Sequence, residues 1–203
     1  MKHYISISKE VRHDIDIYAF DKLDGSQIRA EWNYKKGFYK FGTKNQLIDF
    51  TTKPWGFATG LINDKYSNSL HSVFTEQKWK DAICFFELYG RNSFAGNHNF
   101  KDDDLTVTLF DVNPYKQGIM EPKEFIQFFG HLDIPKVLYE GKVDTELFDK
   151  IKNSALNGMT FEGCVCKGSD NGKLVMFKIK SKAWLDKLKD YCKGDAALLK
   201  KLE

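Results

Sequence analysis

Cysteine is scarce in this 203-residue sequence, which has four, at positions 84, 164, 166 and 192. None forms a Cys-x-x-Cys pair or lies near a histidine at metal-ligand spacing, which argues against a zinc site or a disulfide framework and points to a reducing compartment. The five histidines, at 3, 13, 71, 98 and 131, form no local ligand pair and supply no recognisable base. Only four prolines occur. With no proline-rich linker, low-complexity tract or internal repeat, nothing marks a second domain, and one domain over 1–203 ending in a helix is expected. No apolar run approaches the ~20 residues of a membrane span. The opening Met-Lys-His-Tyr-Ile-Ser-Ile-Ser alternates polar and apolar side chains and lacks the basic stretch and apolar run of a signal peptide. A cytoplasmic address away from membranes is expected, in host cytoplasm if the source is viral. A large charge of one sign is also missing: 31 Lys+Arg against 28 Asp+Glu leave +3. Any phosphate binding must therefore come from locally focused lysines.

What is present is enough apolar material for a core. Hydrophobic residues make up 42% of the chain, with 17 Phe, 9 Tyr and 4 Trp, beside 29% charged residues, the composition of a soluble globular protein. Period-two patterns read as strands over 4–8, 15–20, 27–33 and 37–41, a meander or hairpin set broken by Leu-Asp-Gly-Ser and Lys-Lys-Gly turns. A surface helix is expected over 63–81, then a strand over 82–88, a polar loop over 89–104 and a strand over 105–112. Glu121 and Pro122 open a helix to Gly130. A strand over 136–141, a capped helix over 144–155, strands over 160–167 and 173–180 and a lysine-rich amphipathic helix from Lys182 complete an α+β chain. On that last helix, Trp184, Leu188 and Tyr191 read as a packing stripe.

The sharpest local feature is Asp21-Lys22-Leu23-Asp24-Gly25-Ser26, an amine at the end of one strand followed by an Asp-Gly turn into the next. A nucleophilic lysine must be neutral, and at an unperturbed pKa about one amine in two thousand is neutral at pH 7. Nearby cations or a bound divalent metal would lower that pKa. The strand over 174–180 puts Met176, Lys178 and Lys180 on one face. Two like charges side by side favour no structural role, whereas a triphosphate site needs them. Glu162 would start its strand beside Gly163, where backbone approaches a ligand closely and a carboxylate suits Mg²⁺. The same period puts Lys167 on the opposite face from Glu162 unless Gly163 introduces a bulge, which ranks Lys167 below the other two lysines.

With Phe85-Phe86-Glu87-Leu88-Tyr89-Gly90, Glu162-Gly163-Cys164-Val165-Cys166-Lys167 and Met176-Phe177-Lys178-Ile179-Lys180-Ser181, this turn resembles motifs I, III, IV and V of the covalent nucleotidyltransferases. That superfamily comprises ATP-dependent DNA ligases, RNA ligases and mRNA capping enzymes. The resemblance spans Lys22 to Ser181 and implies antiparallel sheets flanked by helices with a nucleotide cleft between them. It implies Lys22 as the nucleophile, Lys178 and Lys180 as the catalytic cations, and Glu162 as the metal acid. Asp21, Asp24, Gly25, Arg29, Lys44, Glu87, Phe110 and Lys167 would line the nucleotide, with Glu87 on the ribose and Phe110, in a segment similar to motif IIIa, stacked on the purine. Lys44 would stand where motif Ia offers a cation to phosphate, and Arg29 where RNA ligases place an arginine.

Only 22 residues follow Ser181, too few for the OB domain of DNA ligases and capping enzymes. The sequence looks more like a phage-type RNA ligase, which implies ATP with Mg²⁺ or Mn²⁺, RNA 5′-phosphate and 3′-hydroxyl ends as partners, a role in RNA repair and a monomer. The alternatives are a DNA ligase core acting on nicked duplex and a non-catalytic nucleotide- or RNA-binding module.

Overall fold

The computed structural model describes residues 3–90, 93 and 105–202, so most of the polar loop read over 89–104, and His98, lie outside the described residues. The strands are β1 (Asp16–Asp21), β2 (Ser26–Asn33), β3 (Gly37–Gly42), β4 (Leu47–Ile48), β5 (Asp81–Tyr89), β6 (Thr106–Pro114), β7 (Val137–Lys142), β8 (Gly163–Asp170) and β9 (Lys173–Lys180). The helices are α1 (Ala58–Glu76), α2 (Pro122–Phe129), α3 (Thr145–Lys152), α4 (Lys182–Cys192) and α5 (Ala196–Leu202). The described chain divides into two compact units, one of residues 3–6, 25–90, 93 and 105–135 and the other of 7–24 and 136–202.

The first unit is built on a five-stranded sheet in the order β4-β3-β2-β5-β6, antiparallel throughout. Ile28, Ala30 and Trp32 of β2 and Cys84 and Phe86 of β5 are buried on one face. α1 lies against them: Trp32 meets Phe74 with ring centroids 4.8 Å apart, and Tyr66 meets Phe86 at 5.1 Å. Buried aromatic pairs of this kind add to the area they remove from water. The opposite face carries Arg29 and Glu31 of β2 beside Ile83, Phe85 and Glu87 of β5, as the pairing of Arg29 with Phe85 and Glu31 with Ile83 requires.

The second unit holds a four-stranded antiparallel sheet, β7-β1-β8-β9. Ile17, Ala19, Cys164, Cys166, Phe177 and Ile179 form the core face with Leu147 and Ile151 of α3. Asp144 caps that helix by accepting from Leu147 N at 2.7 Å, satisfying a donor that the first turn leaves open.

Several expectations need correction. Residues 4–8 form no strand; only Ser8 bridges, to Phe177. β1 is no part of a meander with β2, because the two belong to different sheets, so the Asp-Gly segment is no hairpin turn. α1 begins and ends about five residues before the expected helix. Asn63, the expected start, sits inside the helix, where its Nδ2 donates to the Thr59 carbonyl four residues back. The strand expected from Thr160 begins at Gly163, leaving Glu162 just outside it. The C-terminal helix is two helices, since Lys193 at φ 48° and Gly194 at φ 87° end α4 in the left-handed region. On α4 the buried stripe is Trp184, Leu188 and Cys192, while Tyr191 is exposed.

Candidate functional site

In the second unit the sheet face away from α3 carries the charge. Pairing sets Phe20 opposite Val165, Val165 opposite Lys178, Lys167 opposite Met176, and Gly163 opposite Lys180. Paired side chains share a face, so Phe20, Val165, Lys167, Met176, Lys178 and Lys180 stand together. Lys167 is therefore on the same side as the two lysines of β9. Glu162 precedes the strand and Gly163, at φ 130°, turns the backbone between them, the exception that the spacing argument allowed. Lys167 is buried with its ammonium 4.9 Å from the centre of the Phe20 ring.

At the end of this face Lys22, just past β1, meets Glu162, 140 residues away in sequence and just before the neighbouring strand β8. Lys22 Nζ donates to Glu162 Oε2 at 2.7 Å, and Lys180 Nζ lies 3.0 Å from Glu162 Oε1. The carboxylate is 4% exposed, so both oxygens are held by ammoniums away from bulk water. Lys180 also lies 3.5 Å from the Trp184 ring centroid. Burial pulls its pKa below the ordinary lysine value, Lys22 adds to that pull, and Glu162 and Asp24 oppose it. Lys178 is lowered further, to about 8, first by burial and then by the charges of Lys180, Lys22 and Lys9, with Glu162 working the other way.

Local backbone geometry fixes these positions. Lys22 N donates to the Gly163 carbonyl at 2.9 Å, and Ser181 N to the Glu162 carbonyl at 2.9 Å. A Cβ on Gly163 would stand 2.1 Å from the Ile179 carbonyl oxygen, so only glycine permits this approach. Ser181, fully buried, accepts from Trp184 N at 3.1 Å and donates to the Phe161 carbonyl at 2.6 Å, capping α4 and tying the segment before β8. Asp21 does a similar job: its Oδ1 accepts from Thr160 N at 2.9 Å and Thr160 Oγ1 at 3.2 Å. This latch was not evident from sequence, since nothing local to Thr160 refers to a partner 139 residues away in the chain.

The first unit holds the remaining expected residues. Arg29 is buried and its Nη1 donates to His3 Nδ1 at 3.0 Å; burial lowers its pKa and Glu31 opposes the shift. Phe110 occupies a bulge of β6, since Asp111 pairs with Phe85 and Leu109 with Phe86. Tyr4 stands edge-on to Phe110 at 5.1 Å and tilted against Phe85 at 4.9 Å, and its hydroxyl donates to buried Asp111. Burial, then Asp111, then Glu87 push the Tyr4 phenol well above its usual pKa. Tyr4 read as a strand residue in the sequence and is here an aromatic neighbour of Phe110. Gly25 lies against β5, where a Cβ would come 2.2 Å from the Leu88 carbonyl oxygen. Lys44 is exposed in a turn whose Asn45 and Gln46 amides donate to Thr43 Oγ1. Among the described residues no group of three His, Cys, Asp or Glu could hold a metal on its own, and no helix is long and apolar enough to cross a membrane.

No protein-family model matches this sequence, and no curated protein matches it. Solved structures do. A mutant of the Naegleria gruberi RNA ligase with AMP and Mn is 17% identical, with a TM-score of 0.67 over 92% of this chain and 59% of that one. A mutant with ATP and Mn is 16% identical, with a TM-score of 0.65 over 87% of this chain and 52% of that one. The same ligase with PPi is 16% identical, at 0.65 over 92% and 58%. The chain thus spans a little over half the length of these ligases, and the likeness is one of fold: α+β, with antiparallel sheets and flanking helices, of the RNA ligase nucleotidyltransferase type.

Proposed function

We propose that the chain is an ATP-dependent RNA ligase, or its adenylylating part, that joins RNA 5′-phosphate and 3′-hydroxyl ends through a lysyl-AMP intermediate. The observation that carries this reading is the buried carboxylate of Glu162 shared between Lys22 at 2.7 Å and Lys180 at 3.0 Å. Enclosing ammoniums and a carboxylate is a poor way to stabilise a fold, because desolvation offsets the attraction. It suits a site whose ligand is polyanionic. The fold likeness to ligases that hold ATP, AMP or PPi supports the same reading.

In the proposed first step Lys22 Nζ forms a bond to the α-phosphorus of ATP as the bond from that phosphorus to the bridging oxygen breaks, and pyrophosphate leaves. The amine must first lose a proton, and Glu162 Oε2 is within hydrogen-bond distance to accept it. Lys178 and Lys180 neutralise charge on the phosphates, and an incoming phosphate would hold Lys178 protonated. Lys167 extends the same cationic face. Mg²⁺ or Mn²⁺ bound with the nucleotide would supply further neutralisation; Glu162 would hold it with phosphate oxygens and water, the one-carboxylate binding that Mg²⁺ commonly adopts. Asp21 and Asp24 flank the nucleophile, the first through the Thr160 latch. Glu87, Phe110, Arg29, Gly25 and Lys44 keep the nucleotide roles that the resemblance implies. AMP then passes to an RNA 5′-phosphate, and a 3′-hydroxyl displaces it to form the phosphodiester.

The test is incubation with Mg²⁺ and ATP labelled at the α-phosphate. Label should become fixed to the protein in an acid-labile link, and Lys22→Ala should abolish it; label retained by that variant would overturn the nucleophile assignment. Nicked duplexes with RNA or DNA on the 3′-hydroxyl side then test the substrate, with RNA expected to be sealed faster.

A further inference from the structure

The sheet face that carries Arg29, Phe85 and Glu87 continues toward the opposite end of β5, and there it opens into a cavity of about 570 Å³ lined by Glu31, Tyr39, Asp81, Asn113, Tyr115 and Lys116, among others. Glu87 and Ile83 are four residues apart on one strand, so the cavity lies roughly 13 Å from the Glu87 position, at about 3.3 Å per residue. None of the residues assigned above lines it.

Its chemistry is specific. Tyr39 and Tyr115 are 46% and 66% exposed, large aromatic surfaces left in water at the mouth of a cavity. Each has a lysine over its ring: Lys36 Nζ lies 5.3 Å from the Tyr39 centroid and Lys116 Nζ 5.2 Å from that of Tyr115. Lys40 adds a third cation, 4.0 Å from Glu31 Oε2. Among its lining residues, Glu31 accepts from the Tyr39 hydroxyl at 3.0 Å, and Asp81 accepts from Asn33 Nδ2 at 2.8 Å. Exposed rings with interleaved lysines are how proteins stack bases while tracking a phosphate backbone. Carboxylates set behind the rings would repel phosphate and accept from the exocyclic amines of bases.

We propose that this end of the face is a second polynucleotide site, at which bases of single-stranded RNA stack on Tyr39 and Tyr115, their edges meet Glu31 and Asp81, and the backbone runs over Lys36, Lys40 and Lys116. The choice of RNA rests on the ligase reading; the presence of a strand-binding site does not.

Fluorescence anisotropy of the full chain with a labelled 12-residue oligoadenylate tests it, beside an abasic oligomer of equal length. Stacking is a base-by-base contribution, so Tyr39→Ala with Tyr115→Ala should weaken RNA binding on the order of tenfold or more and leave the abasic affinity unchanged. Tyr39→Phe with Tyr115→Phe keeps the rings and should bind within about threefold of the parent. Both tyrosines are exposed, and label transfer from ATP to Lys22, measured on the same preparations, should be unaltered. Equal RNA affinity of the alanine variant and the parent, or no RNA binding by the parent, overturns the site. Loss of label transfer with tyrosine-dependent RNA binding retained overturns the ligase reading and leaves the site standing.

Discussion

Lys22 and Glu162 are separated by 140 residues and meet at 2.7 Å, while the other oxygen of the same carboxylate lies 3.0 Å from Lys180. One buried acid thus holds together the ends of three chain segments, and its removal would leave two ammoniums facing each other. Glu162→Gln is expected to lower stability by about 3–5 kcal/mol, the usual result of breaking one side of a buried ion pair. Urea denaturation measures this. Transfer of AMP to the protein should fall at least a hundredfold in the same variant, followed by label transfer at saturating ATP.

Lys178 makes the ligand-free protein sensitive to pH. Unfolded, its amine holds a proton up to about pH 10.5; folded, only up to about pH 8. Between those values the unfolded chain binds more protons, so this lysine's cost to stability is full below pH 8 and is relieved as pH rises toward 10.5. Lys178→Met should therefore raise the melting temperature at pH 7 by about 2–4 °C, with the gap to the parent closing by pH 10. Calorimetry of both proteins across that range checks the sign; a gap that widens with pH would contradict it.

Gly163→Ala tests the tight passage between Glu162 and β9. The new methyl would meet the Ile179 carbonyl oxygen at 2.1 Å in a backbone held at φ 130°. A loss of about 3 kcal/mol or more is expected from clash and strain together. Any folded fraction should adenylylate poorly, because the residues on either side of the glycine are displaced.

Asp21 acts through Thr160. Replacing it with alanine leaves the Thr160 amide and hydroxyl without their shared acceptor, at a cost of about 1–3 kcal/mol. Asp21→Asn keeps an oxygen in place and should recover most of that stability. If Asp21 serves to hold the segment before Glu162, label transfer should recover with asparagine as well, and equilibrium melts with labelling assays on both variants would show whether the two go together.

Most strands and helices were legible because each is written in a local pattern: alternation in β2 and β9, a short apolar run in β5, and the cap of Asp144 on α3. The same locality explains the failures. The helix read from Asn63 starts at Ala58 and Asn63 bonds backward inside it, and residues 4–8 alternate like a strand while Tyr4 packs against Phe85 and Phe110. The shared face of Lys178 and Lys180 followed from their spacing alone. The place of Lys167 was left open, because its relation to Glu162 passes through Gly163, whose positive φ only the folded backbone fixes.

By itself the sequence determined which residue types recur at which intervals, and hence an α+β chain with paired lysines on one strand face and an amine beside an Asp-Gly turn. Only the tertiary structure decided that β1 and β2 part into different sheets, that one carboxylate serves both Lys22 and Lys180, and that tyrosines from β3 and the end of β6 share a cavity. Periodicity is a property of neighbours along the chain, whereas these relationships arise from strand register and burial, which are set by contacts between segments far apart in sequence, 140 residues for Lys22 and Glu162.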